Sequence, residues 1–255
     1  MDSLKIEHLV YAPIPYKGYS VRAKSRNASN DVFTSALRDW FIPFDQRIIS
    51  PSFFERTVVF ENENVYLSRI FAADKLDELG RSGVVSHVAQ IPVSFIRGNK
   101  ISLKMIDEAM GKQVDKHRVP LGDLEPLEVP LVEGVTGSEL AGILPVNAAS
   151  VITKGVVEEH MRVFVLSKSI DKLDLIFALT RVFSGFSVKG LLIASENLKN
   201  DVLYFYDGAV IVGKILPPWA RTRGWKVVNL EKYREVVSVS DSDVEEVLKR
   251  IYGGT

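Results

Sequence analysis

Arg81 and His87 are the residues whose types and spacing best suit chemistry in this chain. They lie in the block Gly80-Arg81-Ser82-Gly83, followed by Val84-Val85-Ser86-His87. Its two glycines permit tight turns or positive φ between strands. An arginine on such a connection can clamp an anion, and a histidine can transfer a proton near neutral pH. Arg69, on the preceding strand, could hold the same anion. In that reading the protein is a phosphate-directed enzyme or nucleotide binder, with His87 as acid/base. Alternation argues the other way. His87 shares a face with Val85, Ala89 and Ile91, which predicts a core-facing histidine bonded to a backbone group. Arg81 then braces its own turn. On that ground no residue is assigned a catalytic role.

Two basic segments come next. Residues 17–26 carry Lys17, Arg22, Lys24 and Arg26, no acid, and the nearby Tyr16 and Tyr19. Basic residues with aromatics can grip phosphates and stack bases, which makes nucleic acid a further candidate partner. However, Arg22, Lys24 and Arg26 lie two apart, the pattern of one solvated strand face, with Val21, Ala23 and Ser25 inward. Residues 214–226 carry four basic residues, two tryptophans and no acid. Pro217-Pro218 stiffens that loop, which lowers the entropy lost on binding. Trp and Arg are frequent interface anchors, so Trp219, Arg221, Arg223 and Trp225 are assigned to contact with a protein partner. The alternative packs both tryptophans onto the sheet. Asp241, Asp243, Glu245 and Glu246 open the last helix and favour its dipole.

Other chemistry is missing from the sequence. There is no cysteine, so thiolate nucleophiles and Cys–zinc sites are excluded. No phosphate-cradling Gly-x4-Gly-Lys-Ser/Thr run, dinucleotide fingerprint or Gly-x-Ser-x-Gly elbow occurs. His8, His87, His117 and His160 are far apart and lack ligand spacing, so neither a metal nor another cofactor is expected. The 32 basic and 32 acidic residues cancel, removing a global drive toward nucleic acid or acidic membranes. No apolar h-region opens the chain and no apolar run reaches membrane-spanning length, so a cytoplasmic protein is expected. The many Val, Ile, Glu and Lys residues, with few Met, follow a thermophile trend.

The elements that must position these residues read as a mixed α+β protein. The 255 residues divide into a lobe 1–118, a Pro-rich connector 119–147 and a lobe 148–255. Expected strands are 4–12, a short one through Val21, 57–60, 65–71 and 84–91. The pair 57–60 and 65–71 forms a hairpin around Glu61-Asn62-Glu63-Asn64. Helices start at Ser29 or Asn30, ending at Pro43, and at Ser102, weakened by Gly111. Pro120, Pro126 and Pro130 predict an unpaired extended connector. A βαβ unit follows: strand 161–166, a helix 170–183 capped by Ser169, and strand 191–194. Asp207-Gly208 predicts a hairpin between 202–206 and 209–212. Strands 225–230 and 236–239 and a helix opened by Ser240 complete the chain.

Tyr11, the segment Lys17-Gly18-Tyr19-Ser20-Val21-Arg22-Ala23-Lys24-Ser25, Arg69, and Gly80-Arg81-Ser82-Gly83 with Ser86-His87 resemble the prokaryotic GTPase-associated protein 1 family. The strand–helix–strand from Arg162 to Ala194 is similar to that family's middle region. The resemblance implies a non-enzymatic adaptor beside a P-loop GTPase. It also implies that Arg81, Gly83 and His87 are family-type positions that support the fold.

Overall fold

The computed structural model describes the chain except residues 1, 15, 39, 40, 45–49, 75, 77–81, 223, 234–242, 254 and 255. The expectations for Arg81, Arg223, Asp241, strand 236–239 and the Ser240 cap fall outside the described residues. The protein is α+β, with eight helices and eleven strands among the described residues.

Antiparallel strands form one side of the sheet. They are β1 (Ser3–Ile14), β2 (Gly18–Ser25), β3 (Phe54–Glu61), β4 (Asn64–Ala73) and β5 (Gly83–Pro92). The β3–β4 hairpin forms as expected, with Asn62 at φ 56° in a tight turn. α1 (Asn30–Leu37) is capped by Ser29, whose hydroxyl accepts the Val32 N–H, and buries Phe33, Ala36 and Leu37. It stops at Leu37 rather than Pro43, because Arg38 turns left-handed at φ 52° and its N–H closes on the Thr34 carbonyl. α2 (Val93–Arg97) leads to α3 (Leu103–Gln113), capped by Ser102.

The proline-rich segment is paired, which corrects the unpaired connector. It holds β6 (Gly122–Leu124), parallel to β2, and β7 (Leu127–Pro130), antiparallel to the start of β1. Pro120 precedes β6, Pro126 separates the two strands and Pro130 ends β7. At strand ends and sheet edges a missing N–H costs no ladder bond. α4 (Gly137–Ile143) and α5 (Val146–Val157) follow, the first opened by a capping box of Thr136 and Glu139.

The remaining strands run parallel. They are β8 (Val163–Leu166), β9 (Leu191–Ser195), β10 (Gly208–Gly213) and β11 (Lys226–Asn229), in the order β11-β8-β10-β9. α6 (Lys172–Phe183) crosses from β8 to β9 as the βαβ reading requires, although β10 lies between them. Its cap is Asp171, which accepts the Leu173 N–H, rather than Ser169. The Asp207-Gly208 hairpin does not form. Residues Asn200–Phe205 make a 3-10 helix and β10 runs parallel to β9. Val202, Leu203 and Tyr206 are buried while Tyr204 and Phe205 are exposed, a helical spacing rather than alternation. α7 (Pro218–Thr222) and α8 (Asp243–Tyr252) complete the fold.

The two sets of strands join where β9 pairs with β3, from Thr57–Ala194 to Phe60–Leu191. One face of the sheet carries α3 to α6 and α8 over the main core. The other carries α1, the Asn200–Phe205 turn and α7 over a second core. Among the described residues no single helix is long and apolar enough to cross a membrane.

Candidate functional site

Four strands bring a polar row onto the face covered by α3. His87 of β5 pairs with Arg69 of β4, and Arg69 with Arg56 of β3; on β1, His8 lies on the same face two residues before Val10, which pairs with His87. Each residue sits where alternation would place an apolar side chain.

His87 is fully buried, as its face predicted, but its partner is another histidine rather than the backbone. His87 Nε2 lies 2.7 Å from His8 Nδ1, and His8 Nε2 lies 2.8 Å from the Glu125 carbonyl oxygen. These partners fix both tautomers. A carbonyl only accepts, so His8 must carry its proton on Nε2. Its Nδ1 is then an acceptor, and His87 donates from Nε2. His87 Nδ1 is left as a buried lone pair without a hydrogen-bond partner. Burial holds the His87 pKa well below its ordinary value, and the charges on His8 and Arg69 push it the same way. Burial also lowers His8, partly offset by the Glu125 carbonyl and Glu7.

The other end of the row is built on one carboxylate. Arg56 donates from Nε and Nη2 to the two oxygens of Asp107 at 3.1 and 2.8 Å. Arg69 Nη1 lies 3.0 Å from Asp107 Oδ2 and also donates to the Asp107 carbonyl. Both guanidiniums lie over the Phe54 ring, at 3.6 and 4.9 Å from its centre. Gly111 makes room for Arg69. A Cβ there would stand 2.8 Å from Arg69 Nη2, so this glycine serves packing within α3 rather than weakening its end. Burial lowers the Arg69 pKa, and Asp107 opposes that shift. Arg69 also lines a cleft of about 290 Å³ with Phe54, Asp115 and Lys116. Asp115 also favours its charged form, and its guanidinium is committed to Asp107 through the side-chain carboxylate and the backbone carbonyl.

Gly83 is held by close packing. A Cβ there would meet Leu76 Cδ1 at 2.6 Å and Pro13 Cγ at 2.9 Å. Arg22 is buried, which corrects the solvated-face expectation. The β1–β2 register shifts so that Val10 pairs with Ala23 and Tyr11 with Val21, leaving Arg22 as the extra residue of a bulge. Its guanidinium donates to the carbonyls of Pro120, Pro13 and Leu76. Lys24 donates to the Ala28 carbonyl and Lys226 to Glu159, so the basic segments spend part of their donors internally.

The two tryptophans pack into the second core. Trp225 is 8% exposed, and Trp219 meets Trp225 and Phe164 edge-on. Arg221 remains exposed. Glu245 does more than favour a helix dipole. It is buried, 3.1 Å from Lys154 Nζ, and accepts the Ser150 hydroxyl proton at 2.9 Å, which pins α8 to α5.

Sequence reasoning missed His8, Arg56 and Asp107 as partners. For Arg56 and Asp107 the signals were present. Arg56 and Arg69 interrupt apolar alternation, and Asp107 sits on the stripe of Leu103, Ile106 and Met110. A charge on an apolar face needs a buried partner. Among the described residues no group of three His, Asp or Glu side chains could hold a metal ion. Compared with known proteins, the chain matches no family model and no curated protein.

Proposed function

We propose that the protein is a non-enzymatic interaction module, an adaptor whose partner, on the family resemblance, is a P-loop GTPase. One observation carries the non-catalytic part. The His87–His8 chain of hydrogen bonds ends on the Glu125 carbonyl, which cannot take up a proton, and His87 has no exposed atom. Acid–base catalysis needs a group within reach of the substrate proton.

We assign the contact surface to the Asn200–Phe205 turn and α7. Tyr204 is 68% exposed and Phe205 45%, and Arg221 of α7 is exposed as well. Arg162 links the turn to the start of β11. It donates to the Leu203 carbonyl, lies 5.8 Å over the Tyr204 ring, and its own carbonyl accepts the Lys226 N–H next to Trp225. Aromatics with arginine on a rigid base are typical of interface anchors. The buried tryptophans supply that base.

Affinity purification of the full chain from its native host, with nuclease treatment, tests this. A stoichiometric P-loop GTPase is expected, released by Tyr204→Asp with Phe205→Asp while the melting temperature stays unchanged. Recovery of the chain alone, or a partner that stays with the double variant, contradicts the reading.

A further inference from the structure

A different feature carries an inference beyond the adaptor reading. α2, α3, α4 and α6 line a partly open, mostly apolar cavity of about 80 Å³. Ile96, Ile101, Leu103, Leu140, Ile143 and Phe177 supply most of its wall. Arg181, from the last turn of α6, also lines it.

Arg181 has no acidic partner within ion-pair distance among the described residues. Among the described residues its guanidinium makes one hydrogen bond, from Nη1 to the Arg97 carbonyl at 3.2 Å. Its Nε is buried and has no hydrogen-bond partner. A guanidinium with a buried, unbonded Nε and no counter-ion is costly, and natural proteins rarely keep one without use. The other charges on the cavity wall are exposed Lys104 and exposed Asp174. Asp174 precedes Arg181 by seven residues of α6. That puts it about 10 Å away along the helix, at the far end of the wall. Among the described residues Arg181 therefore faces no carboxylate at its end of the cavity, and most of the remaining wall is apolar.

We propose that this cavity binds a short aliphatic carboxylate, its carboxylate on Arg181 and its tail among Ile101, Leu140, Ile143 and Phe177. The size sets the tail. An apolar cavity of about 150 Å³ accepts benzene, so this one, about half that size, suits a tail of roughly three carbons. The guanidinium can meet a carboxylate with two parallel N–H donors, and such charge-assisted bonds are the strong ones. No covalent step is involved.

The test is a titration of the full-length protein, carrying 13C-labelled methyl groups, with butyrate, isovalerate, hexanoate and 1-butanol. Saturable shifts of the Ile101, Leu140 and Ile143 methyls are expected. Each methylene that the cavity can hold should tighten binding about fourfold. Butyrate should bind at least about tenfold tighter than butanol, the effect of one charge-assisted hydrogen bond. Arg181→Met should erase that preference while the protein stays folded. Ile143→Trp, which fills the cavity, should abolish all four titrations. The proposal is overturned by unmoved methyls, by butanol binding as tightly as butyrate, or by Arg181→Met binding butyrate like the natural protein.

Discussion

Arg69 and Arg181 present nearly the same group in two settings. Both guanidiniums are largely buried, both have an Nε without a hydrogen-bond partner, and burial lowers the pKa of both. Arg69 lies in the polar row of β1, β5, β4 and β3, where Asp107 neutralises it and Gly111 makes space. Arg181 lies at an apolar cavity and rests on a single carbonyl. The difference separates an arginine used for assembly from one left with binding capacity. A carboxylate already at hand closes the first site. Nothing of that kind closes the second.

The largest expected effect breaks the first setting. Asp107→Asn leaves Arg56 and Arg69 without their shared charge in a site where all three side chains are at most 14% exposed. Loss of one member of a buried ion pair costs about 3–5 kcal/mol. Urea unfolding should show that loss with an unchanged slope, and a loss below about 1 kcal/mol would place the row outside the set of fold-holding contacts.

A smaller effect comes from the histidines. Their folded pKa values are lowered from 6.5, so the unfolded chain takes up protons that the folded chain refuses. Stability from this source is fully present above about pH 6.5 and is lost as pH falls below it, at up to about 1.4 kcal/mol per pH unit for each histidine. His87→Leu removes one of the two and leaves His8 Nδ1 without its donor. It should cost about 1–3 kcal/mol at pH 7.5 and flatten the acid slope. An unchanged slope below pH 6.5 would show that other groups set it.

The smallest effect sharpens the second setting. Arg181→Met gives up one hydrogen bond and removes an unpaired charge from an apolar wall. Unfolding stability should stay within about 1 kcal/mol of the natural protein, with a rise rather than a fall. A fall as large as that of Asp107→Asn would erase the distinction between the two arginines.

The sequence made local features legible and left long-range ones hidden. Ser29, Ser102 and the β3–β4 turn act within a few residues, so pattern was enough. Thr136 and Glu139 were equally local, yet the neighbouring prolines drew attention to a connector instead. The Asp207-Gly208 signal misled because β10 enters between β8 and β9, and pairing across the whole sheet outweighs a favourable turn dipeptide. His87 was correctly placed in the core by alternation. His8 could not be found as its partner, since 79 residues separate them and only the β1–β5 pairing brings them together. Arg22 escaped for a smaller reason, one bulged residue that moves a side chain off its expected face.

The claim that the chemistry-bearing residues of the row serve the fold is tested most directly by 15N NMR of the histidine rings across pH. At pH 7 both His8 and His87 should be neutral and protonated on Nε2, and His87 should stay neutral well below about pH 6.5 for as long as the protein is folded. A His87 ring that titrates near 6.5 in the folded protein, or that carries its proton on Nδ1, would contradict the account and return His87 to consideration as a proton-transfer group.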